Sequence, residues 1–185
     1  MSTKAPNSVY KLARLSMCAA LIAVCAWLSV PAAIPFTMQT FAVCLVAALF
    51  GRRTGHGAVG MYLFLGAVGL PVFSNFQGGF GVLLGVTGGY LWGFLLMAFA
   101  VGLAVDRFGR SLRVLLISMA QGTILCYAFG TLWFVLVYNR SSGPIGVMTA
   151  LSLCVLPYVV PDAVKILLAA VLTQKLYPIL NGGAT

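Results

Sequence analysis

Only two acidic side chains, Asp106 and Asp162, occur in this chain, while eleven Lys and Arg residues punctuate long apolar runs. Hydrophobic residues make up 62% and charged residues 7%, against about 45–50% and about 25% in an ordinary soluble domain. That is too little polar surface to coat a water-soluble fold, so the chain reads as an integral membrane protein. At 185 residues it is expected to form one membrane domain spanning residues 1–185, with no room for a separate soluble domain.

The apolar stretches fall at about 12–30, 37–51, 56–70, 89–105, 113–138 and 161–177, which predicts an all-α bundle of six transmembrane helices. A crossing takes about 17–25 residues. The second, third and sixth stretches are short by that measure and imply tilting, local thinning or a region of unwound backbone. Lys4, Lys11 and Arg14 precede the first stretch, Arg52 and Arg53 follow the second, Arg107, Arg110 and Arg113 separate the fourth from the fifth, and Lys175 ends the sixth. All of these lie on one side, which the positive-inside rule makes cytoplasmic together with both termini. The first span has no cleavable small-residue site before it and is expected to be retained. Basic residues dispersed in this way do not form a nucleic-acid face, which needs one patch with interleaved aromatics.

The outer segments, 31–36, 71–88 and 139–160, carry only Arg140. Pro31 and Pro35 stop the first helix, and Thr37, Gln39 and Thr40 open the next. Residues 69–90 hold seven glycines and no charge. Such a segment is too apolar for a solvated linker and too rich in glycine for a continuous helix. Irregular backbone at membrane depth survives only where it is buried in protein or lines a cavity, so a lid or lining loop at the outer mouth of the bundle is expected. The apolar run 145–156 is too short to cross and is expected to lie re-entrant or interfacial. It leads to Pro161 as a first-turn residue of the last helix, which would place Asp162 in that first turn, where the helix dipole favours a carboxylate.

Asp162 and Lys165 stand at an i, i+3 spacing inside an otherwise apolar span. Each such charge costs roughly 2.5–3.5 kcal/mol near a helix centre on insertion scales, so the pair marks the leading candidate site. One alternative is a structural ion pair that pins the last helix. In the functional reading, Asp162 accepts N–H donors of a polar ligand and Lys165 meets a carbonyl or carboxylate oxygen. Gly85-Val-Thr-Gly-Gly-Tyr90 lacks the Lys and Ser/Thr ending of a phosphate-binding loop, and its use is expected to be close backbone approach to a small ligand. Cys18, Cys25, Cys44, Cys126 and Cys154 are embedded in apolar runs with one His in the whole chain, so neither a metal site nor a disulfide framework is expected. No cofactor site and no catalytic constellation is expected either. Trp27, Trp92, Trp133 and Tyr138 fall near the expected interfaces as belt residues, and His56 reads as interfacial.

Taken together, Ile34-Pro-Phe-Thr-Met-Gln-Thr-Phe41, Gly69-Leu-Pro-Val-Phe73 with Gly78-Gly-Phe-Gly81, Gly85-Val-Thr-Gly-Gly-Tyr90 and Leu156-Pro-Tyr-Val-Val-Pro-Asp-Ala-Val-Lys165 resemble the BioY family, in order from about residue 12 to residue 177. That family supplies the biotin-binding S component of energy-coupling factor transporters. The resemblance implies a six-helix bundle in a bacterial cytoplasmic membrane, biotin bound near the outer face, and partners comprising a transmembrane coupling subunit and two ABC-type ATPases. It implies a docking surface for that subunit at Ala19 and Ala23 of Ala19-Ala-Leu-Ile-Ala23, where small residues permit close helix approach.

The expected ligand-binding residues are Thr37, Gln39, Phe73, Asn75, Gly85, Thr87, Gly88, Tyr90, Asp162 and Lys165. Biotin offers a ureido group with two N–H donors and a carbonyl, an apolar thioether body and an anionic tail. Asp162 suits the donors, Lys165 suits either the carbonyl or the carboxylate, and Phe36, Phe73 and Tyr90 suit the body. A self-sufficient biotin facilitator and a small membrane enzyme are the competing readings. The enzyme is disfavoured by the lack of paired carboxylates, a His cluster or CxxC.

Overall fold

A computed structural model describes residues 8–30, 36–141 and 143–181. Seven helices carry the fold: α1 (Ser8–Trp27), α2 (Gln39–Ala67), α3 (Phe80–Leu84), α4 (Gly88–Phe108), α5 (Leu112–Ser141), α6 (Val147–Cys154) and α7 (Leu156–Asn181). The all-α expectation needs one addition, a two-residue antiparallel ribbon of β1 (Ser29–Val30) and β2 (Phe36–Thr37), paired Ser29 to Thr37 and Val30 to Phe36. Residues 31–35, which hold the expected proline stop and most of the first outer loop, lie outside the described residues, as does Lys4. Four helices, Val9–Trp27, Gly88–Phe108, Leu112–Ser141 and Leu156–Leu180, are long and apolar enough to cross a membrane.

The second and third apolar stretches are two arms of α2 folded back on each other. Gln39 donates a hydrogen bond from its side-chain amide to the Tyr62 hydroxyl. Twenty-three residues of straight helix would hold these side chains about 35 Å apart, so 39–50 and 52–67 must run antiparallel. The corner is Gly51, at φ 75° and ψ −176°, a left-handed conformation that glycine adopts without steric cost. Each arm is shorter than a usual crossing.

The corner is also where charge meets exposed helix ends. The backbone N–H of Arg52, opening the second arm, donates to Asp106 Oδ2 at 3.0 Å. Arg110 donates from Nε to the Ala48 carbonyl at 2.7 Å and from Nη2 to that of Leu49 at 3.4 Å, closing the first arm. An anion at a helix start and a cation at a helix end match the dipoles of both arms. The Arg110 guanidinium lies 3.9 Å from the Tyr177 ring centroid, which ties the end of α7 to the same corner.

The core runs along the hairpin and α4, with Val46, Val59, Tyr62, Met97, Val101 and Met119 among its fully buried side chains. α4 packs most extensively on α5 and on α2, α1 packs mainly on α2, and α7 lies against α2 and α5. α7 begins at Leu156, ahead of the expected start, and Pro161 lies inside it. Asp162 is therefore in the second turn, not the first, and the expected stabilisation by the helix start is corrected. The run 145–156 folds as α6, which breaks from α7 at Val155 (φ −124°, ψ −56°).

Because a Cβ at residue 51 would overlap the Asp106 carboxylate in a left-handed conformation, Gly51→Ala should cost upwards of about 1 kcal/mol. The expected outcome is a lower melting temperature of the detergent-solubilised protein, with Gly60→Ala, which lies inside the second arm and meets no neighbour within 4 Å, melting no lower than the unsubstituted chain.

Candidate functional site

The last helix delivers Asp162 and Lys165 to the interior, 4% and 5% exposed. Lys165 Nζ donates to Asp162 Oδ1 at 2.7 Å and to the Thr37 carbonyl at 2.6 Å, and it sits 4.0 Å from the Phe36 ring centroid. The ammonium thus exchanges water for a carboxylate, a carbonyl and an aromatic face, the substitutes that make a buried cation tolerable. Asp162 is met from three helices: Thr40 of α2 donates to Oδ1 at 3.1 Å, Lys165 of α7 donates to the same oxygen, and the Tyr127 hydroxyl of α5 donates to Oδ2. Removing one member of such a desolvated pair costs about 3–5 kcal/mol, because the other charge is left unmet.

Beside the pair, the mouth of α2 holds a polar chain. Thr37 donates from Oγ1 to Gln39 Oε1 at 3.0 Å, the Gln39 backbone N–H donates to Thr37 Oγ1 at 3.3 Å, and the Gln39 amide reaches Tyr62. The Tyr62 ring packs edge-on against Phe73, centroids 5.4 Å apart. Phe73 is fully buried because Gly66 makes room: a Cβ there would overlap its ring.

Residues 71–88 fold into the bundle as a 3-10 turn (Ser74–Phe76) followed by α3. Three tryptophans expected as belt residues each commit an indole N–H to this segment or its flank. Trp27 donates to the Pro71 carbonyl at 2.8 Å, Trp92 to that of Leu83 at 3.2 Å and Trp133 to that of Gly85 at 3.0 Å. Irregular backbone is thereby satisfied without water.

These elements enclose a cavity of about 100 Å³. Of the expected residues, Thr37, Gln39, Phe73, Thr87, Tyr90, Asp162 and Lys165 line it. Tyr90 is fixed by a 3.0 Å hydrogen bond with Thr131. Asn75, Gly85 and Gly88 are not among the lining residues. Asn75 turns its side-chain oxygen to accept from Ser29 at 3.1 Å, Gly85 offers its carbonyl to Trp133, and Gly88 packs tightly under Leu83 at the start of α4.

Thr40, Ser74, Gln77, Tyr127, Cys154 and Tyr158 line the cavity without having been singled out as site residues. Thr40 had a signal in the polar opening of α2. Tyr127 had none, since a lone tyrosine inside an apolar span reads as packing. All five cysteines are buried and free, and among the described residues no three His, Cys, Asp or Glu side chains form a metal-binding group.

Ala19 and Ala23 are 1% and 6% exposed. A docking surface must face outward, so these two form an internal seam beneath α1, and their expected docking role is corrected. The exposed side of α1 carries Met17, Leu21 and Val24 instead.

The family model described as the BioY family matches residues 1–182. The biotin transporter BioY of Thermotoga maritima is 41% identical over 167 residues, covering 90% of this chain and 95% of that one. The biotin transporter BioY2 of Lactococcus lactis subsp. cremoris is 33% identical over 166 residues, covering 89% and 88%. A crystal structure of the S-component for biotin from an ECF-type ABC transporter superposes with a TM-score of 0.80 at 25% identity, over 93% of this chain and 94% of that one. With a family model matching nearly its whole length and relatives matching across most of theirs, the chain belongs to the BioY family.

Proposed function

We propose that this chain is a multi-pass membrane protein that captures biotin and serves as the substrate-binding subunit of an energy-coupling factor transporter. It is a transport protein, not an enzyme. The observation that carries the reading is the buried Asp162–Lys165 pair on the wall of a cavity between α2, α4, α5 and α7. A ureido group presents N–H donors and a carbonyl side by side, the complement of a carboxylate next to an ammonium. Phe73, Tyr90 and Phe94 supply apolar wall for the ring body, and Lys165 is the partner for one of the ligand's oxygens.

The two short arms of α2 act as crossings beside the four long helices, giving six spans with both termini in the cytoplasm. The basic corner at Arg52, Arg53, Arg107 and Arg110 supports that orientation. The membrane is a bacterial cytoplasmic membrane, and the partners are a transmembrane coupling subunit and two ABC-type ATPases. The chain carries no phosphate-binding loop of its own, and the ATPases supply the energy.

Titration of the purified protein with biotin by calorimetry should give tight binding. Asp162→Asn and Lys165→Ala should each weaken it at least tens-fold, since losing one partner of a desolvated charged hydrogen bond costs about 2–5 kcal/mol. Unchanged affinity in both folded variants would mean that the pair only holds helices together.

A cavity of about 100 Å³ is below the ~300–1,000 Å³ of typical small-molecule sites, so its walls must give way around biotin. The wall built for this is 71–88, largely irregular and tied to the bundle at separate points, by indole N–H bonds, the Ser29–Asn75 bond and the Gly79 N–H to the Gly66 carbonyl. Amide hydrogen exchange in nanodiscs is expected to slow between Phe73 and Tyr90 when biotin is added, and to quicken there in Trp133→Phe without ligand. An exchange map insensitive to biotin in that segment would rule out its role as a lid.

A further inference from the structure

Asp162 has more partners than a counter-ion needs, and their count limits what it can do for a ligand. A carboxylate offers about four lone-pair sites, two on each oxygen. Oδ1 already accepts two hydrogen bonds, from Thr40 Oγ1 at 3.1 Å and Lys165 Nζ at 2.7 Å. Oδ2 accepts one, from the Tyr127 hydroxyl. Counting the described residues, one acceptor site remains, on Oδ2.

Tyr127 and Asp162 are also the two residues shared by the main cavity and a second, larger hollow of about 510 Å³ between α5, α6 and α7. That hollow is lined by apolar side chains such as Ala120, Ile124, Leu151 and Ala163. Its one hydroxyl besides Tyr127, that of Thr123, is committed to the Met119 carbonyl at 2.9 Å. Among the described residues, no other donor stands ready to replace Tyr127 behind Oδ2.

We propose that Tyr127 is a positioning residue that fills the far side of Oδ2, so that Asp162 accepts a single N–H from the ligand and distinguishes one ureido nitrogen from the other. The inference rests on the biotin reading. The two N–H groups of biotin's cyclic urea point away from each other on either side of the carbonyl, so Asp162 meets one of them, and the direction in which its open site is held decides which. Without the tyrosine hydroxyl, Oδ2 loses its fixed direction, and the distinction between the nitrogens fades.

The test is calorimetric titration of the full chain with biotin and with its two singly N-methylated ureido isomers. The unsubstituted protein should bind one isomer at least about tenfold more weakly than the other, the scale of a hydrogen bond to a charged group. In Tyr127→Phe, biotin affinity should fall about tenfold or more and the bias between isomers should shrink to within about threefold. Ser118→Ala, on the same helix with its hydroxyl bonded to the Leu115 carbonyl, should change neither, so a general loosening of α5 is told apart. Isomers bound equally by the unsubstituted protein, or a full bias and affinity kept in Tyr127→Phe, overturn the inference while leaving biotin as the ligand. Failure of the unsubstituted protein to bind biotin at all overturns the biotin reading and the inference with it. Should Tyr127→Phe not fold, Tyr127→His, which keeps a ring and an N–H donor, decides instead: a preserved bias supports the assignment, and its loss overturns it.

Discussion

Withholding water from a charged group obliges the surrounding protein to supply every bond that water would have made. Asp162 is the point where this obligation is heaviest, and meeting it draws together α2, α5 and α7 through Thr40, Tyr127 and Lys165. The other acidic residue is exposed and works at the opposite end of the hairpin by a different rule, as an anion at a helix start. Asp106 stands at the start of the second arm of α2, and Arg110 closes the end of the first. The chain's two carboxylates therefore fix the two ends of one element. The hairpin is held at its corner by α4 and the residues just beyond it, and at its mouth by α5 and α7.

A similar economy governs the irregular segment between α2 and α4. Its carbonyls are met by indole N–H groups from three different helices, each a single donor on a large apolar body suited to a boundary between lipid and water. The segment is therefore neither a free loop nor a rigid wall. It is attached at separate points, with Phe73 as a buried plug against Tyr62 and Gly66. Such attachment is what the proposed lid requires: a wall that yields around a ligand while the hairpin beneath stays in place.

Much of this was legible from residue patterning. Apolar run lengths and the placement of Lys and Arg located every long helix, because in a membrane those two properties are what the environment selects. The Asp162–Lys165 pair was legible because charge inside an apolar span is costly enough to require a reason. Helix ends were less legible. α7 starts ahead of Pro161 because Pro157, its second residue, lacks only an N–H that would have no partner within the helix, while Pro161 removes a single bond from the helix interior without ending it. The role of Tyr127 was hidden, since a phenol has no cost in an apolar span large enough to single it out. The seam at Ala19 and Ala23 went wrong for a related reason: small residues permit close approach on any face of a helix, and spacing alone does not say which face looks inward.

The bond from Lys165 to the Thr37 carbonyl joins residues 128 positions apart, and this sets an order of events during synthesis. A chain emerging at about 5–20 residues per second inserts the hairpin of α2 several seconds before α7 exists. For that interval, the polar mouth formed by Thr37, Gln39 and Thr40 stands without its cation. When α7 follows, its carboxylate and ammonium enter beside acceptors and donors already in place, so the most expensive residues of the chain are delivered last, into prepared surroundings. The charged pair of the proposed site is thus the last part to arrive, and a truncated chain ending before α7 would insert without it.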